Sequence, residues 1–269
     1  MSKRLSISLL VVLVLLGSVI ALHAKAAAPK APSLTAEQRI GVRFSMPREG
    51  KEAVDLNLYL LNDGKDHPLV ITLHGGAFVL GSADAMDTQN DRISKAWNVN
   101  VVAVDYKLLD KEHTLTAGTE EVTDTIRYFR EHAAEYHIDP DEIFVMGCSA
   151  GAYYGTAATL ALKQEGIDLA GQIICYGYLQ ENNDVYLAMD ETARASMAPA
   201  LFILADNDLI SDSSLNYQRS LAANGVATQV QKYAGTKHAF LEGGDPDADP
   251  SVREAEALIG EWIHGITAK

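Results

Sequence analysis

Short apolar runs split by polar turns alternate along this chain with longer stretches whose apolar positions recur every three or four residues. Ile40 to Met46 and Val54 to Leu61 read as strands, and Asn62-Asp63-Gly64-Lys65-Asp66 as the turn that follows. Pro68 to Leu73 is an apolar strand running straight into His74-Gly75-Gly76, and Asn98 to Val104 is another, rich in β-branched residues. Val122, Ile126, Phe129 and Ala133 give Thr119 to Tyr136 one apolar face, which predicts a helix closed by His137-Ile138-Asp139-Pro140. Glu142 to Met146, Ala170 to Cys175, Ala200 to Ala205 and Val226 to Tyr233 read as further strands. Ala150 to Gln164 and Ser213 to Ala223 read as helices. A final helix begins at Ser251 and Glu254 in capping-box spacing and buries Ala255, Leu258, Ile259, Trp262 and Ile266. This alternation predicts one α/β domain over residues 38–269, a mostly parallel sheet of about eight strands with helices on both faces. No internal repeat and no second domain is visible.

The chain's start breaks the pattern. Lys3 and Arg4 precede an apolar run from Leu5 to Leu22, and small residues follow from Ala24 to Ala28. That is the order of a secretory signal peptide over residues 1–26, with Ala24-Lys25-Ala26 as the cleavage site. The run is also just long enough to span a membrane as a retained anchor. Residues 27–37, with Pro29 and Pro32, read as a linker or arm. The expected destination is secreted or periplasmic, with no stable membrane contact after processing. The formal net charge of −14 argues against nucleic acid and anionic membrane as partners. Export permits a disulfide between the two cysteines, Cys148 and Cys175, although two buried free thiols is the simpler reading.

The chemistry centres on Gly147-Cys148-Ser149-Ala150-Gly151, where a strand should turn abruptly into a helix. Such a turn lifts a serine hydroxyl out of the sheet, and flanking glycines leave it room. The following helix points its N-terminus at developing negative charge. His74-Gly75-Gly76-Ala77-Phe78 supplies glycines that let backbone N–H groups approach a substrate oxygen. With Ala150, Gly75 and Gly76 would form an oxyanion hole, and His74 would order the loop. A serine hydroxyl needs a base. In the expected chain order of serine, acid and histidine, only His238 and His264 lie downstream of Ser149. His264 falls inside the final helix, which leaves His238, in the loop after the last strand. Ala205-Asp206-Asn207-Asp208 offers two carboxylates to orient that imidazole. Ala77, Phe78 and Tyr153 are the candidate substrate-contacting residues. Glu242 to Asp249 reads as a solvated acidic loop, because it lacks the spacing of a calcium loop. The remaining histidines show no metal-ligand spacing.

Taken together, these motifs resemble the α/β-hydrolase esterases related to hormone-sensitive lipase, and the small acetyl- and feruloyl-esterases that act on plant polysaccharides. The shared elements run from Pro68 to Phe240 and include Val104-Asp105-Tyr106-Lys107-Leu108, Asp139-Pro140 and Pro199-Ala200-Leu201. The resemblance implies an α/β-hydrolase fold and a triad of Ser149, Asp208 and His238. Its register, Asp208-Leu209-Ile210-Ser211-Asp212, favours Asp208 over Asp206. It also implies a small-molecule or carbohydrate ester as substrate, and no cofactor. Ala77 stands where the lipase-like branch has a third glycine, and Cys148 where that branch often has aspartate. The arm is too short for that branch's helical cap, and Tyr178 to Ser196 is the one sizeable insertion. A minimal cap and short acyl chains are therefore expected. The alternatives are a carbohydrate acetyl or feruloyl esterase, a serine peptidase of the same fold, and a non-catalytic protein that keeps the fold.

Overall fold

The computed structural model describes residues 40–179 and 189–268. The predicted signal peptide, the arm and residues 180–188 of the insertion lie outside the described residues. Among the described residues, no helix is long and apolar enough to cross a membrane.

Eight strands form one sheet: β1 (Val42–Arg48), β2 (Lys51–Tyr59), β3 (His67–Leu73), β4 (Asn100–Val104), β5 (Ile138–Cys148), β6 (Gly171–Cys175), β7 (Ala200–Asn207) and β8 (Thr228–Lys237). Their order is β1-β2-β4-β3-β5-β6-β7-β8. The pairs β1–β2 and β2–β4 are antiparallel and all the others parallel. The helices are α1 (Asp87–Ala96), α2 (Leu115–Glu131), α3 (Ala150–Gln164), α4 (Glu191–Ala195), α5 (Ser211–Ala223) and α6 (Pro250–Thr267).

Alternation along each strand builds two cores. Leu69, Ile71 and Leu73 of β3, with Ile143 and Val145 of β5, face Val122, Ile126 and Phe129 of α2 and Tyr217 and Leu221 of α5. Val70, Phe144, Met146 and Cys148 point the other way, toward Ile93 of α1 and Val252, Ala255, Ile259 and Ile263 of α6. Each buried Val, Leu, Ile, Phe or Met among them contributes about 1.5–3 kcal/mol on burial, so the sheet is held from both sides. Cys148 and Cys175 are directly paired across β5 and β6, and both are free and fully buried. Contact with Cys175 and burial together raise the Cys148 thiol pKa well above its ordinary value.

Some sequence boundaries need correction. The helix predicted over Thr119 to Tyr136 ends at Glu131, and a 3-10 turn at Ala133–Glu135 follows it. Asp139-Pro140 lies inside β5 and does not terminate a helix. The cap of α6 is Asp249, whose carboxylate accepts the Ser251 N–H at 2.8 Å, with Pro250 opening the helix. Ser251 is therefore inside the first turn and makes no capping box. Helix α1 escapes a search for apolar periodicity because most of its buried residues, Asp87, Gln89, Asn90 and Ser94, are polar.

Candidate active site

Strands β3, β5, β6, β7 and β8 run parallel, so their C-terminal ends share one edge of the sheet. His74, Ser149, Tyr176, Asp208 and His238 all follow those ends. Ligands of open α/β sheets bind along that edge.

Ser149 joins β5 to α3 with φ 51° and ψ −112°, a strained conformation for a residue with a side chain. The flanking glycines make the turn possible. A Cβ on Gly147 would stand 2.5 Å from the backbone of Ala152, and one on Gly151 would run into the Leu73 carbonyl. The Ser149 N–H donates to the Cys175 carbonyl at 2.9 Å, which ties the turn to β6.

The Ser149 hydroxyl lies 2.9 Å from His238 Nε2, and His238 Nδ1 lies 2.9 Å from Asp208 Oδ2. A carboxylate only accepts, so Nδ1 carries the proton and the Nε2 lone pair faces the serine hydroxyl. The Asp208 side chain is 2% exposed, against 38% for His238. Its other oxygen accepts the Ile210 N–H at 3.0 Å. Asp206 is elsewhere. It pairs with Lys232 at 2.9 Å, and that ammonium lowers its pKa. The structure thus brings Ser149, His238 and Asp208 into one hydrogen-bonded chain and leaves Asp206 out.

After β3, Gly76, Ala77 and Phe78 take φ values of 128°, 52° and 70° in succession. The resulting left-handed turn is closed by the Val79 and Leu80 N–H groups, which donate to the Gly76 carbonyl at 3.1 and 2.9 Å. His74 is buried beneath it and stacks on Tyr106 with ring centroids 4.3 Å apart. Its Nδ1–H donates to the Gly75 carbonyl at 2.6 Å, and the Tyr106 hydroxyl donates to the His74 carbonyl at 2.6 Å. Burial lowers the imidazole pKa, which keeps it neutral. His74 orders the loop, as its sequence position suggested.

Three sequence assignments change. The Gly75 N–H donates to Glu242 Oε1 at 2.7 Å, so it is not free to meet a substrate oxygen. The N–H groups of Gly76, Ala77 and Ala150 make no hydrogen bond among the described residues. Tyr153 is fully buried and packs edge-on against Phe78 at 5.5 Å, so packing is its role here. Phe78 itself is partly buried and also meets Tyr178 edge-on at 6.2 Å. Glu242, read in the sequence as part of a solvated loop, is partly buried against the site, and burial raises its pKa. The one sequence signal that could have revealed it is its place directly after Phe240-Leu241, an apolar pair that must turn inward. Tyr176 was also missed. It is fully buried, takes φ 40°, and sets its ring edge-on to His238 at 5.1 Å.

Residues 70–196 and 180–242 match a family profile described as the alpha/beta hydrolase fold. An arylesterase from Saccharolobus solfataricus is 25% identical over 234 residues, covering 74% of each chain. A fungal esterase from Rhizomucor miehei superposes with a TM-score of 0.77 at 22% identity, over 85% of this chain and 84% of the other. A hyperthermophilic esterase from Pyrobaculum calidifontis gives 0.75 at 22% identity, over 94% and 92%.

Proposed function

Because this chain belongs to the α/β-hydrolase fold family, we propose that it is an exported serine carboxylesterase that hydrolyses short-chain acyl esters through an acyl-serine intermediate. The observation that carries this reading is the hydrogen-bonded chain from Ser149 through His238 to Asp208. Ser149 Oγ attacks the ester carbonyl as its proton passes to His238 Nε2. Asp208 holds the imidazole in the required tautomer and offsets the charge it gains. The carbonyl oxygen becomes an oxyanion, for which the free N–H groups of Gly76, Ala77 and Ala150 are the available donors. His238 then returns its proton to the leaving alcohol, activates water, and the acid is released.

The named relatives, an arylesterase and two esterases, support ester substrates. The short insertion after β6 supports small acyl groups. Export rests on the basic, apolar and small-residue order of residues 1–26.

The test is a panel of esters from acetate to palmitate, run with wild type, Ser149→Ala and Asp208→Asn. Activity should be highest on the shortest chains and absent in Ser149→Ala, with Asp208→Asn about 10⁴-fold lower in kcat. Full activity in Ser149→Ala removes the reading. Highest activity on palmitate removes the short-chain preference. Recovery of the protein from the cytoplasm of its host with residues 1–26 intact would remove export.

A further inference from the structure

Gly75 lies between two groups that leave no room for a side chain. A Cβ there would stand 3.3 Å from Ser149 Cβ on one side and 2.7 Å from Glu242 Oε2 on the other. The Gly75 N–H, between the same neighbours, donates to Glu242 Oε1 at 2.7 Å. The loop that carries the oxyanion donors is therefore clamped between the nucleophile turn and one carboxylate.

The turn that carries that carboxylate is itself held from several directions. The Glu242 N–H donates to the Tyr176 hydroxyl at 3.0 Å, and Tyr176 sits behind His238. The Gly243 N–H donates to Gln89 Oε1 of α1 at 3.0 Å. Arg92, also on α1, donates to the Gly244 carbonyl at 3.0 Å. The Gly244 N–H closes the turn onto Leu241, which is fully buried. The turn around Glu242 thus keeps its place through Tyr176 and α1, and these anchors do not involve the Glu242 side chain.

We infer that Glu242 is a positioning residue for ester hydrolysis: its carboxylate binds the Gly75 N–H and presses the oxyanion loop against the Ser149 turn. The inference rests on the proposed ester-hydrolase activity. Glu242 takes no part in proton transfer and need not touch the substrate. Its effect falls on the transition state, because the N–H groups after Gly75 meet charge that exists only once Ser149 has attacked.

The experiment is steady-state kinetics of Glu242→Ala, Glu242→Gln and Glu242→Asp on a short-chain ester, beside wild type and Ser149→Ala. Loss of the brace should lower kcat in Glu242→Ala about 10- to 100-fold, the size expected for donors displaced by a fraction of an ångström to an ångström. KM should stay within about threefold, since ground-state contacts are kept. Glu242→Gln keeps an amide oxygen for the Gly75 N–H and should restore kcat to within about threefold of wild type. Wild-type kcat in Glu242→Ala overturns the inference, as do equal losses in the Ala and Gln variants. If Glu242→Ala does not fold, Glu242→Asp decides: its carboxylate is drawn back by one methylene, and kcat should fall while Glu242→Gln stays active. An Asp variant as active as wild type overturns the brace. A wild type inert on every ester overturns this inference together with the activity beneath it. Activity abolished by Ser149→Ala but untouched by Glu242→Ala overturns the brace alone.

Discussion

The turn at Ser149 and the loop from His74 to Gly81 meet at the same edge of the sheet, yet they are held in place differently. The nucleophile turn is shaped by backbone crowding, from Ala152 against Gly147 and from Leu73 against Gly151. One residue bears the strain, and Gly147 and Gly151 exist because backbone occupies the space of their side chains. The oxyanion loop spreads its strain over Gly76, Ala77 and Phe78. It is held by Tyr106 and Glu242, which lie about 30 and 170 positions away in the chain. A turn fixed by backbone against backbone either forms or fails outright. A remotely braced one can be loosened by degrees.

That contrast can be broken at several points. The largest effect should come from Gly147→Ala, where a methyl meets the Ala152 backbone at 2.5 Å. Urea unfolding should show a loss above about 4 kcal/mol or no folded protein, and a small loss would show that the turn can relax. Gly76→Ala comes next. Its Cβ would strike the Leu80 carbonyl, so this exposed loop must shift, on top of about 1–3 kcal/mol of backbone strain at φ 128°, and the free N–H groups move with it. Activity should fall well before stability does, and the reverse order would put this loop in the same class as the nucleophile turn. Tyr106→Phe removes the hydroxyl that satisfies the buried His74 carbonyl and should cost about 1–3 kcal/mol in unfolding free energy.

The smallest effect is a pH dependence. Burial raises the Glu242 pKa above its ordinary 4.5, outweighing the Gly75 N–H and His238, which act to lower it. A carboxyl with a raised folded pKa lends stability that is complete below its unfolded pKa and is lost as pH rises through the folded value. Glu242→Gln has no such loss. Its thermal midpoint relative to wild type should therefore rise between pH 4 and pH 8. A difference that shrinks over that range would mean the carboxylate is stabilised as an anion, and the brace would then owe more to charge than to its hydrogen bond.

How far each feature is legible in the sequence follows the same division. The helix Ala150–Gln164 and the strands around it are visible because alternation, helical period and two glycines are local signals. His238 stands out because few downstream histidines compete with it. Asp208 and Asp206 cannot be separated by composition. What separates them is depth, one carboxylate buried under the imidazole and the other drawn out to Lys232. Helix α1 hides because it buries amides and carboxylates to meet Tyr59, Gly243 and Glu256 in place of apolar side chains. Glu242 hides among the acids of residues 242–249, and only the folded chain distinguishes the one that turns inward.

The base and the brace share a single connection, His238 to Glu242, while the glycine that the brace binds lies before the sheet is half built. Recombination between relatives joined anywhere from Ser82 to Lys237 would take the oxyanion loop from one parent and both the imidazole and its neighbouring carboxylate from the other. Such chimeras would inherit a complete triad motif by simple inspection, yet their loop and brace would never have been selected together. In well-folded hybrids of this kind, poor turnover that recovers when those two segments are exchanged as a pair would trace to the Gly75–Glu242 contact.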